Sequence, residues 1–201
     1  AGRQRRQRRD AQPRHHDQRQ HARHFGDVDD DDVDGHAEID NGHERHDILG
    51  NLGDLADAAW GDLVAAEAIV FGAPTYMGNV PWQFKKFADA TSKIWFTQGW
   101  KDKVFGGFVN SASLNGDKQV TLISLSTLAC QHGGIWVSLG LPPANSKAAN
   151  RADLNNLGGS VGALAQTPAD ASVDEMLQGD LDTAQRYGQR VADTARRLRK
   201  A

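Results

Sequence analysis

The sequence predicts an α/β domain built on a doubly wound parallel sheet, and two observations carry that prediction. After Gly50, short uninterrupted apolar runs alternate with segments whose apolar residues recur at helical spacing, the signatures of buried strands and of amphipathic helices. Glycine- and serine-containing loops separate them, and repeated right-handed βαβ units of this kind wind helices over both faces of one sheet. The chain has 201 residues and 39% hydrophobic content, enough for one globular domain.

The elements follow in order. Leu52, Leu55, Ala56 and Ala59 fit one helical face, and Ala68-Ile69-Val70-Phe71 reads as a buried strand closed by Gly72. Phe84, Phe87, Ala88 and Thr91 recur at i, i+3, i+4 and i+7, so an amphipathic helix is expected there, with Pro81 in its first turn. Val104 to Val109 is strand-like and runs into the polar loop Asn110 to Gly116. Asp117 is placed to cap a helix carrying Val120, Ile123, Ser124, Thr127 and Leu128 on one stripe. That helix should stop at His132-Gly133-Gly134, before a third buried strand, Ile135 to Leu139. Asp180 is placed to cap the last helix, whose inner face reads Leu181, Ala184, Gly188, Val191, Ala195 and Leu198, with Arg196, Arg197, Arg199 and Lys200 complementing the dipole at its end.

The first 46 residues are of another kind. They hold seven of the eight histidines (His15, His16, His21, His24, His36, His43 and His46), an arginine run from Arg3 to Arg9 and an aspartate run from Asp27 to Asp34. Their large apolar residues, Phe25, Val28, Val33 and Ile39, follow no structural period, so ordering entropy should win and this segment should be disordered, with the α/β domain spanning 47–201. The histidines lack the paired spacing of a metal site, and the acidic run with no aromatic interleaving argues against nucleic acid. Arginine, histidine, aspartate and glutamine together are also what a GC-rich gene yields when read out of frame. That reading predicts a Val/Ile-rich strand and a Ser/Thr/Gly loop in another frame of the upstream DNA.

No apolar stretch reaches the ~18 residues that cross a bilayer, and no hydrophobic core follows the arginines, so a soluble, cytoplasmic protein is expected. The single cysteine, Cys130, reads as a small buried residue on a helix.

Ligands of doubly wound sheets sit beyond the carboxyl ends of the strands. That rule selects three loops: Gly72 to Val80, Asn110 to Gly116, and Gln131 to Gly134. In the first, the glycines permit close approach of a ligand, Thr75 and Asn79 offer hydrogen bonds, and Tyr76 offers a flat face. Spacing alone leaves a ligand site and a well-made turn both open.

The run Ile69-Val70-Phe71-Gly72-Ala73-Pro74-Thr75-Tyr76-Met77-Gly78-Asn79-Val80 resembles the flavin-ring loop of the WrbA-type NAD(P)H:quinone oxidoreductases and their NADPH-dependent FMN reductase relatives. Further matches follow in order: Gln83 to Phe87, Asp89-Ala90-Thr91, Trp100 to Lys103, Gly116-Asp117-Lys118, Gln131-His132-Gly133, Gly179-Asp180-Leu181 and Gly188 to Ala192. The resemblance runs from Asp54 to the end of the chain.

It implies a flavodoxin-like fold, FMN as cofactor and NAD(P)H as reductant, with a quinone or similar small acceptor. It also implies a homo-oligomer, a dimer or tetramer. Carried over residue by residue, Pro74, Thr75, Tyr76, Met77, Gly78 and Asn79 border the flavin ring, Ser111, Ala112, Ser113, Gly116 and Asp117 lie on its other edge, Trp95 packs near it, and His132 faces the substrate and donates to it. No metal is required. Family members begin with a strand and a Ser/Thr/Gly loop that wraps the FMN phosphate. Nothing in residues 1–46 matches it, so the sheet is expected to lack its first strands. Ser92-Lys93 and Gly134 also depart from the commoner residues of the family's quinone reductases. The competing readings are a flavodoxin-type electron carrier and a flavin-free interaction module. Carriers are usually strongly acidic, whereas residues 47–201 hold 14 Lys+Arg against 15 Asp+Glu, a balance of -1.

Overall fold

The computed structural model describes residues 57–199. The disorder expected over 1–46, and Leu52, Leu55 and Ala56 of the first predicted helix, lie outside the described residues.

The elements run α1 (Asp57–Ala65), β1 (Ala68–Pro74), α2 (Trp82–Ala90), α3 (Ser92–Phe96), β2 (Val104–Ser111), α4 (Lys118–Gln131), β3 (Ile135–Trp136), β4 (Ala163–Gln166) and α5 (Gln178–Arg199), with a 3₁₀ turn at Val173–Glu175 before α5. All strand pairs are parallel. β1 pairs with β2 along its whole length, from Ala68 opposite Val104 to Pro74 opposite Asn110. β3 and β4 share the other edge of β2: Ile135 and Trp136 lie opposite Val104 and Phe105, and Ala163 to Gln166 lie opposite Phe108 to Ser111.

One strand position is therefore filled by two short pieces, separated by an excursion over 137–162. The Trp136 indole N–H, donating to Val161 O at 2.8 Å, ties its two ends together. Asn155 anchors the excursion: its side-chain amide donates to Leu141 O and Gly159 O, and its backbone N–H donates to the Thr183 hydroxyl of α5. The five-residue strand expected from Ile135 to Leu139 shortens to two because the chain leaves the ladder after Val137 N donates to Phe105 O. Val137 and Leu139 are nevertheless buried.

Side chains alternate across the sheet. Ile69, Phe71, Phe105 and Val109 face a core shared with Phe84 and Phe87 of α2, Trp100, and Leu122, Leu125 and Ala129 of α4. Aromatic contacts dominate it: Phe71 meets Phe84, Phe87, Trp100 and Phe105, and Trp60 of α1 stacks on Phe87 at 5.7 Å. Each such side chain contributes ~1.5–3 kcal/mol by leaving water. The opposite face packs Val104, Val137, Leu139 and Ala163 against Tyr187, Val191 and Ala195 of α5. α5 approaches so closely that a methyl added at Gly106 would sit 2.8 Å from Val191 Cγ2.

The α2 prediction holds, with Phe84 and Phe87 buried and Pro81 at the N-cap. Two helix faces differ from expectation. On α4 the buried residues are Lys118, Thr121, Leu122, Leu125 and Ala129, while Val120 and Ile123 are about half exposed. On α5 they are Gly179, Asp180, Thr183, Tyr187, Val191 and Ala195, and Leu181 and Leu198 are exposed. In both cases polar side chains take inward positions because they find buried partners. The Tyr187 hydroxyl donates to Val137 O and accepts from Gly107 N. Asp180 is not a cap but lies inside the first turn of α5, accepting from Arg151 at 2.7 Å and from Gln166 N at 2.9 Å. Cys130 lies on α4 as expected but is exposed.

α4 ends as predicted: Gly133 has φ +70°, and Gly134 N–H donates back to Ala129 O. No helix among the described residues is long and apolar enough to cross a membrane.

Candidate functional site

Beyond the carboxyl ends of β1, β2 and β4, three loops enclose a cleft of about 370 Å³. Its walls are Pro74, Thr75 and Tyr76 from the first loop, Asn110, Ser111 and Ala112 from the second, and Thr167, Pro168, Ala169, Ala171, Ser172, Val173 and Met176 from the third.

The first loop is a tight turn. Tyr76 and Asn79 exchange both backbone hydrogen bonds, at 2.8 and 3.0 Å, around Met77 and Gly78, both at positive φ; two consecutive positive φ values define a type I′ turn. α4 ties this turn down from below. The Thr75 and Thr121 hydroxyls lie 2.9 Å apart, and Ser124 Oγ donates to Asn79 Oδ1 at 2.6 Å. Asn79 Oδ1 also accepts from Val80 N. Its acceptor capacity thus closes the turn, while Tyr76 presents an exposed ring at the mouth.

The second loop is held from behind by Lys118, 1% exposed, whose ammonium donates to Ser113 O, Leu114 O and Asn115 O at 2.5, 3.0 and 3.5 Å. Gln166 Nε2 holds Ala112 O at 2.7 Å. Burial pushes the Lys118 ammonium below its usual range, opposed by the charge of Asp180 and reinforced by that of Arg151. Gly116 and Asp117 both adopt positive φ, and Asp117 makes no side-chain cap bond. A side chain at Gly116 would be strained: a Cβ would fall 2.0 Å from Ser111 Oγ and 3.0 Å from Ser113 O.

The third loop went unpredicted. β4 is a four-residue Ala-Leu-Ala-Gln strand with no long apolar run, so period gave no signal. One signal was present after it: Ser172 and Glu175 form a capping box, in which Glu175 accepts from both the backbone N–H and the hydroxyl of Ser172. Those two bonds hold the Glu175 carboxyl below the usual range.

Of the residues expected at the site, the structure brings together Pro74, Thr75, Tyr76, Ser111 and Ala112. Met77, Gly78, Asn79, Ser113, Gly116 and Asp117 shape the loops without lining the cleft. Trp95 sits on the short helix α3, about half exposed, and is no part of the cleft wall. His132 lies elsewhere altogether. The loop Gln131 to Gly134 follows a helix and precedes a strand, so it belongs to the amino ends of the strands, contrary to its expected place. Along α4 that is about 20 Å from Lys118. His132 is 1% exposed and packs on Trp100, with ring centroids 4.5 Å apart. Thr91 donates its hydroxyl to Ala88 O, so its oxygen accepts from His132 Nε2–H at 2.8 Å. Nδ1 has no partner among the described residues, and burial lowers the pKa of the imidazole.

A parallel sheet with α2 and α4 on one face, α5 on the other and a cleft at its carboxyl ends defines a flavodoxin-like α/β protein. A crystal structure of the flavodoxin, WrbA-like protein from Agrobacterium tumefaciens superposes with a TM-score of 0.58 at 50% identity, covering 74% of this chain and 78% of that one. The sequence model of the NADPH-dependent FMN reductase family matches residues 32–143. The chain is 64% identical over 146 residues to Flavodoxin FldP of Pseudomonas aeruginosa (73% of this chain, 79% of that protein). It is 36% identical over 138 residues to an NAD(P)H dehydrogenase (quinone) of Solidesulfovibrio magneticus (69% and 66%) and 34% identical over 132 residues to one of Archaeoglobus fulgidus (66% and 61%). Its match to those two dehydrogenases spans under two thirds of their length. The chain belongs to the NADPH-dependent FMN reductase family, a family of flavin oxidoreductases.

The cleft fits a flavin ring. Its walls alternate apolar and polar groups, and two buried polar atoms from residues that line it, Asn110 Oδ1 and Thr167 Oγ1, have no hydrogen-bond partner among the described residues. Such orphans suit a ligand with a polar edge. None of the residues lining the cleft is cationic, so this lining fits the ring and offers no positive charge to a phosphate. Among the described residues no group of His, Cys, Asp and Glu is arranged to hold a metal.

Proposed function

We propose that the cleft binds the isoalloxazine ring of FMN and that the chain acts as an NAD(P)H-dependent oxidoreductase toward a quinone or similar small acceptor. The orphaned Asn110 Oδ1 and Thr167 Oγ1 at the cleft are the observation that carries this reading. Bound there, FMN supplies two-electron chemistry between NAD(P)H and the acceptor.

The chain's own residues bind and orient. Asn110 Oδ1 would accept a hydrogen bond from the polar edge of the ring, and Thr167 would meet that same edge. Tyr76 and Pro74 flank the ring, and Met176 and Val173 exclude water from the far wall. The Ser113 to Gly116 stretch continues from Ala112 of the cleft wall, and beside the cleft its backbone amides would offer donors as negative charge develops on the ring. His132, enclosed by Trp100 and Thr91, takes no part in this arrangement within one chain. The proposal includes self-association into a dimer or tetramer, for which Trp82, Trp95 and Phe96, 70%, 44% and 81% exposed on α2 and α3, offer apolar surface. Light scattering tests that part.

The test of the site is an FMN titration of the chain followed by quenching of flavin fluorescence, then NAD(P)H-dependent reduction of a benzoquinone. Saturable quenching, weakened about tenfold by Asn110→Ala as expected for one lost hydrogen bond to a polar ring edge, supports the reading. Absence of quenching in a folded chain refutes it.

A second reading, an electron carrier, has in its favour the 64% identity to a protein named a flavodoxin. A carrier would bind FMN but oxidise NAD(P)H only with a separate reductase present. The near-neutral balance of residues 47–201 favours the enzyme.

A further inference from the structure

We propose that Lys118 is a positioning residue for the flavin-ring loop, fixing its carbonyls inward so that its amides face outward to the ligand. The inference rests on reading the cleft as a flavin-ring site.

A lysine is almost never fully buried without a partner, and an unpaired charge in the interior is costly. Lys118 answers that cost with three backbone carbonyls, one for each N–H of its ammonium. The carboxylate nearest in charge, Asp180, is already engaged by Arg151 and Gln166 N. The lysine is therefore committed to the loop and not to an ion pair. Gln166 adds Ala112 O, so four consecutive carbonyls, 112 to 115, are tethered from the inner side.

The geometry of the trans peptide supplies the consequence. In each peptide plane the N–H of residue i+1 points opposite to the C=O of residue i. Turning the carbonyls of Ala112, Ser113, Leu114 and Asn115 inward aims the N–H groups of Ser113, Leu114, Asn115 and Gly116 outward. Among the described residues none of these four amides donates to a backbone carbonyl. A row of outward amides of this kind attracts an electron-rich edge. The ligand class that fits is a flat heteroaromatic with ring carbonyls that gain negative charge on reduction.

Two measurements on the same variants test the proposal: backbone ¹⁵N relaxation of residues 113–116 without ligand, and titration with lumiflavin, a ring without phosphate. Lys147→Met, on the excursion far along the chain, controls for loss of one charge. In Lys118→Met the loop should loosen, its order parameters falling from about 0.85 to below about 0.6, and lumiflavin should bind about tenfold more weakly or worse. Lys118→Gln, which keeps two donors, should fall between, and it replaces Lys118→Met if that variant does not fold. A loop that stays rigid, or a loosened loop with unchanged lumiflavin affinity, overturns the proposal. If wild type binds no lumiflavin while the loop loosens only in the Lys118 variants, the ring assignment fails and the tether stands.

Discussion

The two ends of α4 solve opposite problems. At its amino end, Lys118, Thr121 and Ser124 reach from one helix to both ring loops, so a polar face fixes the backbone of a cleft. At its carboxyl end, Ala129 and His132 join an aromatic core around Trp100, where volume and enclosure matter. The lesson is that polar burial is not uniform in meaning. Lys118 is satisfied by carbonyls and positions a loop, whereas His132 keeps one ring nitrogen unpartnered and is confined by packing.

Breaking the packed end should cost most. Trp100→Ala removes a fully buried indole touching Phe71, Phe87, Phe105 and His132, and a loss of ~3–5 kcal/mol is expected in urea unfolding. Gly116→Ala attacks the other end. The positive φ and the Ser111 Oγ contact should lower stability by ~1–2 kcal/mol, while lumiflavin affinity falls by about tenfold or more.

The histidine sharpens the contrast through pH. Because burial depresses the His132 pKa below 6.5, the unfolded chain takes up its proton first. His132 therefore contributes stability that is present above about pH 6.5 and lost as pH falls toward its folded pKa, with a slope of at most ~1.4 kcal/mol per pH unit. His132→Gln should flatten that part of the stability–pH curve; an unchanged curve would mean that the imidazole is not enclosed. The smallest effect belongs to a single tether: Thr75→Val, which loses the Thr121 contact, should cost ~1 kcal/mol in thermal unfolding, with a modest loss of lumiflavin affinity.

The legible parts of the fold were those in which burial and period agree. Ala68 to Phe71, Val104 to Val109 and the Phe84-Phe87 face of α2 combine apolar content with the right spacing. α4 and α5 misled because their inward positions include Lys118, Thr121, Asp180 and Thr183, which a hydrophobic pattern assigns to solvent. The split of the edge strand was invisible for a different reason: Ile135 to Leu139 read as one strand, whereas β4 gains its place by pairing with β2 and not from intrinsic propensity. For the site, the rule that ligands lie beyond strand carboxyl ends found two of the three walls. It failed at Gln131 to Gly134 because that loop enters a strand instead of leaving one. The third wall, Thr167 to Met176, needed the unseen β4 to bring it there.

Mapping amide chemical shifts of the ¹⁵N-labelled chain during a lumiflavin titration tests the central claim most directly. Shifts concentrated at Thr75 to Asn79, Ser111 to Gly116 and Thr167 to Met176, with Thr91, Trp100 and His132 unmoved, are the predicted result. Shifts centred on Gln131 to Gly134, or no saturable change in a folded chain, would contradict the assignment of the cleft.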